Sequence, residues 1–173
     1  MSKLILGYSS PLIMQYAISI ISWEFFYLLI EHKGERDLAI SNTMRNIFGF
    51  FGVFTWAFAA TTNTMVSNVI GQGQKENVIP LINKIVRIST GTAIGICIFL
   101  NLFPEVFLSI YGRGDDFTKA ALPVLRVVST ALVLMSFSVV WLNAVTGTGN
   151  TKVNLGIETM AIIFYCFYAY VVL

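Results

Sequence analysis

Charged residues are scarce in this chain. Of its 173 residues only 12% are Asp, Glu, Lys or Arg, where a soluble domain carries about 25%. That leaves too little hydrophilic surface to keep a globule of this size in water. Cysteine is scarce as well. Cys97 and Cys166 both lie in apolar runs, where a thiol packs as a small hydrophobe. Two isolated cysteines and a single histidine make no metal site, and no cofactor is expected. A formal charge of +2 is too small to indicate a nucleic-acid partner. After Lys3 there is only a short apolar stretch and no small-residue cleavage site, so no secretory signal is read. No nucleophile–base pair or phosphate loop stands out. "GQGQ" at Gly71–Gln74 lacks the preceding strand that dinucleotide binding demands. An enzyme is therefore not expected.

What fills the chain instead is apolar: 56% of its residues are hydrophobic. Asn46–Gln74 and Val127–Thr151 contain no formal charge, and neither do Ile88–Pro104 and Thr159–Leu173. A helix needs about 20 mostly apolar residues to cross about 30 Å of hydrocarbon. Five spans are expected, at about 10–30, 42–70, 85–110, 122–146 and 153–173. Segments of that length exclude a β-barrel, whose strands run about ten residues. The fold class is all-α, a polytopic transmembrane helix bundle treated as one domain over 1–173, with the lipid bilayer as its surroundings. Short polar links join the spans at Glu31–Leu38, Gly71–Pro80, Tyr111–Asp116 and Gly147–Lys152. They leave no room for an extramembrane catalytic domain. Lys3, Lys75, Lys84, Arg87 and Lys152 fall on one side; Lys33, Arg36, Arg45, Arg113, Lys119 and Arg126 fall on the other. Bases on both sides are so evenly matched that charge alone does not orient the chain.

Helical faces narrow the candidate residues. At 100° per residue, Asn42, Asn46, Gly49, Ala60, Thr64, Ser67 and Gly71 fall near one line of the second span, with Asn63 beside it. Met44, Ile47, Phe51, Phe54, Phe58, Met65 and Val69 lie opposite. Small and polar residues in lipid mark helix contacts or a water-filled path, and bulky apolar ones meet acyl chains. Plain helix packing and a solute-facing wall both fit the polar line. The last span repeats the pattern with Asn154, Glu158, Ala161, Tyr165 and Tyr168, and its Glu158 is a candidate ion-coupling acid.

Glu24 is the other ion-coupling candidate, and the deeper one. It is the single formal charge between Pro11 and Ile30. A charge at a helix centre costs about 2.5–3.5 kcal/mol on insertion scales, and intramembrane acids commonly serve ion or proton pathways. The competing reading places Glu24 at headgroup level among Trp23 and Tyr27. Gln15, Ser19 and Ser22 form a polar stripe of their own, and Glu24 projects about 180° from Gln15, so one cavity cannot receive both. Trp56, Trp141 and Tyr165 can contact flat cations through their ring faces or simply pack against lipid.

"TTNTMVSNVIGQGQKENVIPLINKIVRIS" (Thr61–Ser89) and "GTGNTK" (Gly147–Lys152) together resemble the multidrug and toxic compound extrusion (MATE) family. In that family the second helix of each six-helix half ends in a small-polar run and a glycine-rich turn, and the fourth ends in a Gly-x-Gly turn. Here those motif turns are Gly71 with Gly73, and Gly147 with Gly149 followed by Thr151. "SSPLIMQY" (Ser9–Tyr16) and "GERDLAI" (Gly34–Ile40) also fit. The resemblance implies a C-terminal half lacking its final span, so the expected partners include the N-terminal half and that last helix. It places Glu24 at the position of a coupling acid. Two departures stand out: "LMSFSVVW" (Leu134–Trp141) carries no acid, and Thr146 stands where an arginine often precedes the turn.

The resemblance implies secondary active multidrug efflux. Small organic compounds, often cationic, would leave by antiport with Na+ or H+, the ion itself undetermined, through a multi-pass protein of the cytoplasmic (inner) membrane. Asn42, Asn46, Asn63, Thr64, Ser67, Asn154 and Tyr165 are the candidate cavity-lining residues. A lipid-linked sugar flippase of the same superfamily is the alternative, with Arg126 as its one candidate phosphate-binding cation. A truncated membrane protein with no activity of its own is the other.

Overall fold

A computed structural model describes residues 2–31, 34–111 and 114–172, and the side chains of residues 2–8, 11, 12 and 172 lie outside it. The link residues His32, Lys33, Gly112 and Arg113 fall outside the described residues, as does the side chain of Lys3. Among the described residues the chain is helical throughout: α1 (Ser2–Glu31), α2 (Glu35–Gly71), a 3-10 turn at Lys75–Asn77, α3 (Val78–Leu102), α4 (Pro104–Ser109), α5 (Asp115–Gly147) and α6 (Thr151–Val172).

Four stretches combine the length and apolarity to cross a bilayer: Ile13–Glu31, Lys75–Leu102, Asp115–Gly147 and Thr151–Val171. The expected second span lies within α2, which at 37 residues is long enough. Its asparagines, threonines and serines keep it less apolar than the other four. The third expected span, drawn to residue 110, is broken. α3 stops at Leu102, and Phe103 leaves helical geometry with φ −125° and ψ 49° before Pro104 opens α4. Proline disfavours helical geometry in the residue before it and has no N–H to continue the ladder, yet it suits a first helical position.

The chain divides into two compact units, 1–38 with 149–173, and 39–148. In the first, α1 and α6 pack side by side and run parallel, because contacts advance together along both: Ser19 meets Glu158, Ser22 meets Cys166 and Phe26 meets Tyr165. The packed line of α1 is Gln15, Ser19, Ser22 and Phe26, spaced at i, i+4, i+7 and i+11.

In the second unit α3 and α5 run antiparallel. Ser89 Oγ donates to the Ser136 carbonyl at 3.4 Å, and twelve residues along α3 Asn101 Nδ2 donates to Ser129 Oγ at 2.9 Å. Ser89, Ala93, Ser129 and Ser136 are all buried in this seam. Small residues let two backbones approach closely, and the hydroxyls find partners that lipid would deny them. An apolar cluster closes each end. One gathers Ile40, Met44, Ile47 and Phe51 of α2 with Leu100, Leu108, Phe117 and Leu125. The other gathers Val66 with Val78, Ile82, Ile85, Val140 and Ala144.

Both clusters draw on the α2 face expected to meet acyl chains. Met44, Ile47 and Phe51 are in fact core residues, while Phe54 and Met65 of that set stay exposed. The buried line of α2 runs through Thr43, Ile47, Phe51, Thr55, Thr62 and Val66, about opposite the Asn42–Gly71 polar line.

The two Gly-x-Gly turns share one construction. Gly71 and Gly147 are the last helical residues, and Gly73 and Gly149 take positive φ, 78° and 82°. After α2, the Gly73 N–H donates to the Ile70 carbonyl at 2.9 Å and the Gln74 N–H to the Val69 carbonyl at 3.1 Å. That crossed pair is a Schellman cap, which satisfies carbonyls the helix end leaves open. Side chains disfavour this conformation. Gly149→Ala is expected to lower stability by about 1–2 kcal/mol, measured as a loss of thermal midpoint in detergent; an unchanged midpoint would contradict the strained-turn assignment.

Candidate functional site

The polar atoms of the first unit collect on one seam. Glu158 sits seven residues into α6, about 10 Å along its axis, and is half-buried. One carboxylate oxygen accepts a hydrogen bond from Gln15 Nε2, the other from Ser19 Oγ at 2.5 Å. Gln15 in turn accepts from Asn154 Nδ2 at 3.4 Å, and Asn154 is itself buried. Further along the helix pair, buried Ser22 Oγ lies 3.6 Å from Cys166 Sγ. The arrangement follows from spacing. Gln15, Ser19 and Ser22 lie on one face of α1, Asn154 and Glu158 on one face of α6, and parallel packing sets them level.

Among the described residues no lysine or arginine pairs with Glu158. Its charge is held by an amide and a hydroxyl alone. Such donors solvate a carboxylate without cancelling its charge. Its carboxylate, hydroxyl and amide oxygens are the ligand type a hard cation prefers.

Glu24 lies elsewhere. It is exposed on α1, on the side away from the Gln15–Ser22 line, and among the described residues no hydrogen bond or ion pair reaches it. Its neighbours on the helix are aromatic: Trp23 stacks on Tyr27 with ring centres 6.1 Å apart, and Phe26 meets both. Tyr165 joins through Phe26, at 5.8 Å between centres. Beyond Glu158 the α6 contact line passes through Cys166 and Ala169, leaving Ala161, Tyr165 and Tyr168 exposed. Of the even stripe expected to Tyr168, Asn154 and Glu158 join the polar seam and Tyr165 touches α1 only through Phe26.

The candidate cavity residues of α2 belong to the second unit. Asn46, Thr64 and Ser67 are exposed, and Asn42 and Asn63 are half-buried. The Thr64 hydroxyl donates to the Ala60 carbonyl at 3.2 Å, and Ser67 Oγ to both the Asn63 and Gly147 carbonyls at 2.9 Å. Ser67 thereby ties the end of α2 to the end of α5, where Gly147 presses against Asn63 and Val66. The glycines differ in surroundings: Gly71 faces open space and Gly147 does not. Thr151, at the start of α6, is buried.

Gln15 and Ser19 complete the carboxylate site although neither stood among the candidate site residues. Their signal was the i, i+4, i+7 polar stripe on α1, and it became a site only against the i, i+4 pair on α6.

Long apolar helices, an exposed surface dominated by Ile, Phe, Val and Tyr, and a carboxylate held inside the helix packing define a polytopic membrane protein. The MatE family model matches residues 11–171, so the chain belongs to the MatE family of membrane transporters, whose members are not enzymes. Nothing among curated proteins or solved structures matches it.

Proposed function

We propose that this chain serves ion-coupled export of organic, often cationic, compounds across a cytoplasmic membrane by alternating access, with Glu158 as the group that takes the coupling ion. The observation that carries this reading is the Glu158 carboxylate, half-buried in α6, bonded across the helix pair by Gln15 and Ser19 and paired with no base among the described residues. A proton or Na+ arriving there replaces one of those bonds or joins them. Either change alters how firmly α1 and α6 hold together. A difference of about 1.4 kcal/mol between two transporter states shifts their populations tenfold, so one carboxylate is sufficient. The polar line of α2, from Asn42 to Ser67, supplies a wall for the solute path, and its donors and acceptors suit a hydrated passage.

The intact transporter in proteoliposomes tests this. Efflux of a fluorescent organic cation is expected to rise with an inward Na+ or proton gradient and to stop when that gradient is collapsed. Efflux indifferent to both gradients would overturn the reading. Transfer of a lipid-linked sugar with no movement of the cation would replace it with the flippase.

A further inference from the structure

We propose that α3 carries a binding site for one anionic phospholipid, its phosphate held by Lys84 and Arg87. This goes beyond the export reading and is independent of it. Ile82, Ile85, Val86, Ser89 and Ala93 turn inward, and Lys84 and Arg87 stand on the opposite, exposed face, one helical turn apart. Among the described residues neither has an ion-pair or hydrogen-bond partner. Ile88 beside them and Ile94 and Ile98 further along are exposed on the same side. The face is thus apolar toward the middle of the helix and basic toward its N-terminal end, which is the polarity of a phospholipid molecule.

Depth fits as well. Lys84 lies about 9 Å and Arg87 about 14 Å along α3 from Val78. Helical side chains lean toward the N-terminus, so both cationic heads reach back toward the end of the helix and the headgroup layer. The guanidinium plane and the ammonium together match a phosphate diester. Charge at this end of the second unit is lopsided: Lys75, Lys84 and Arg87 face a single acid, Glu76. At its other end Glu105, Asp115 and Asp116 are matched by the described bases Arg45, Lys119 and Arg126, so the excess of positive charge is confined to the α3 N-terminal end. Charge complementarity therefore selects an anionic headgroup at the α3 N-terminal end only.

Native mass spectrometry of the intact transporter, titrated with phosphatidylglycerol and separately with phosphatidylcholine of the same chains, tests the site. Each basic residue near an anionic membrane surface contributes roughly fivefold in affinity. The Lys84→Gln/Arg87→Gln double variant should bind phosphatidylglycerol about 25-fold more weakly and phosphatidylcholine as before. Lys119→Gln should leave both unchanged, and Lys84→Arg/Arg87→Lys should keep the preference. Equal retention of phosphatidylglycerol by the double variant would overturn the proposal. So would parallel loss of both lipids, or an equal loss in Lys119→Gln. Displacement of bound lipid by soluble glycerol phosphate at similar concentration would show a free-phosphate site and would also overturn it.

Discussion

Glu158→Gln is expected to abolish gradient-driven export while leaving the protein inserted and folded. The amide keeps the shape of the side chain and can still bond Gln15 and Ser19, but it takes up neither a proton nor Na+. Hydrogen bonds to a charged group contribute about 1.5–3 kcal/mol each. Two such bonds meet the carboxylate, so neutralising it moves the balance between transporter states by about 100-fold or more. Insertion should not suffer, because removing a charge from a span saves part of the roughly 2.5–3.5 kcal/mol that it costs. Ser19→Ala, which removes one of the two bonds, should weaken coupling about tenfold. Glu24→Gln serves as the comparison, since Glu24 is exposed and outside the cluster. The decisive measurement is cation efflux under an imposed gradient, together with membrane yield and thermal midpoint for each variant. Wild-type coupling in Glu158→Gln would remove Glu158 from the mechanism. Loss of coupling together with loss of folded protein would assign it a structural role instead.

How far this site could be read in advance turns on the relation between two helices that lie more than a hundred residues apart in the chain. The polar stripe Gln15–Ser19–Ser22 and the pair Asn154–Glu158 are both visible as helical spacings. So is the 180° separation of Glu24 from that stripe. Depth along the span singles out Glu24, which is the more central acid, but depth does not tell which face a neighbouring helix covers. That is decided by α6, whose own polar pair sits level with Gln15 only because the two helices run parallel. Periodicity within one helix carries no information on its partner, its direction or its register. Beyond Glu158 the α6 stripe and the contact line part: Tyr165 still meets Phe26 while remaining exposed, and Tyr168 is exposed outright, whereas the contact continues through Cys166 and Ala169.

The fold shows the same division between what is local and what is not. Helix, span and turn are local properties, and the long apolar runs and the glycines after them mark them closely. The break at Phe103–Pro104 was missed, since the third expected span runs through it; a proline in an apolar run does not decide the matter alone, and Pro11 and Pro123 lie inside α1 and α5. The α2 faces were harder. In lipid, bulky apolar residues and small polar ones can each face either way, because no aqueous solvent sorts them. Met44, Ile47 and Phe51 went inward because Leu100, Leu108 and Phe117 meet them there, and Phe51 and Phe107 set their rings edge to face at 5.7 Å. The polar line was left exposed on its own unit, with the Ser67 hydroxyl bonding back to the α5 end.

That last contact belongs to a tightly held glycine, Gly147. A Cβ placed on it would lie 2.7 Å from the Asn63 carbonyl oxygen, 3.1 Å from Val66 Cβ and 3.2 Å from Val66 Cγ1. The nearest atom belongs to backbone inside α2, which cannot rotate aside as a side-chain tip would. Relief requires α2 and α5 to separate, which stretches the Ser67–Gly147 hydrogen bond and loosens Val66, a fully buried member of the apolar cluster. Overpacking of this kind costs about 1–3 kcal/mol, so Gly147→Ala is expected to lower the thermal midpoint clearly and Gly147→Val to prevent stable folding. Gly71 provides the opposite case. It holds the equivalent place at the end of α2, but a Cβ there meets nothing within 4 Å. Gly71→Ala should be neutral or stabilising by up to about 1 kcal/mol, since alanine loses less backbone freedom on folding. Melting curves of the two alanine variants in the same detergent separate close helix contact from turn chemistry. If both variants melt alike, Gly147 is not held against α2 and the tie between the ends of α2 and α5 fails with it.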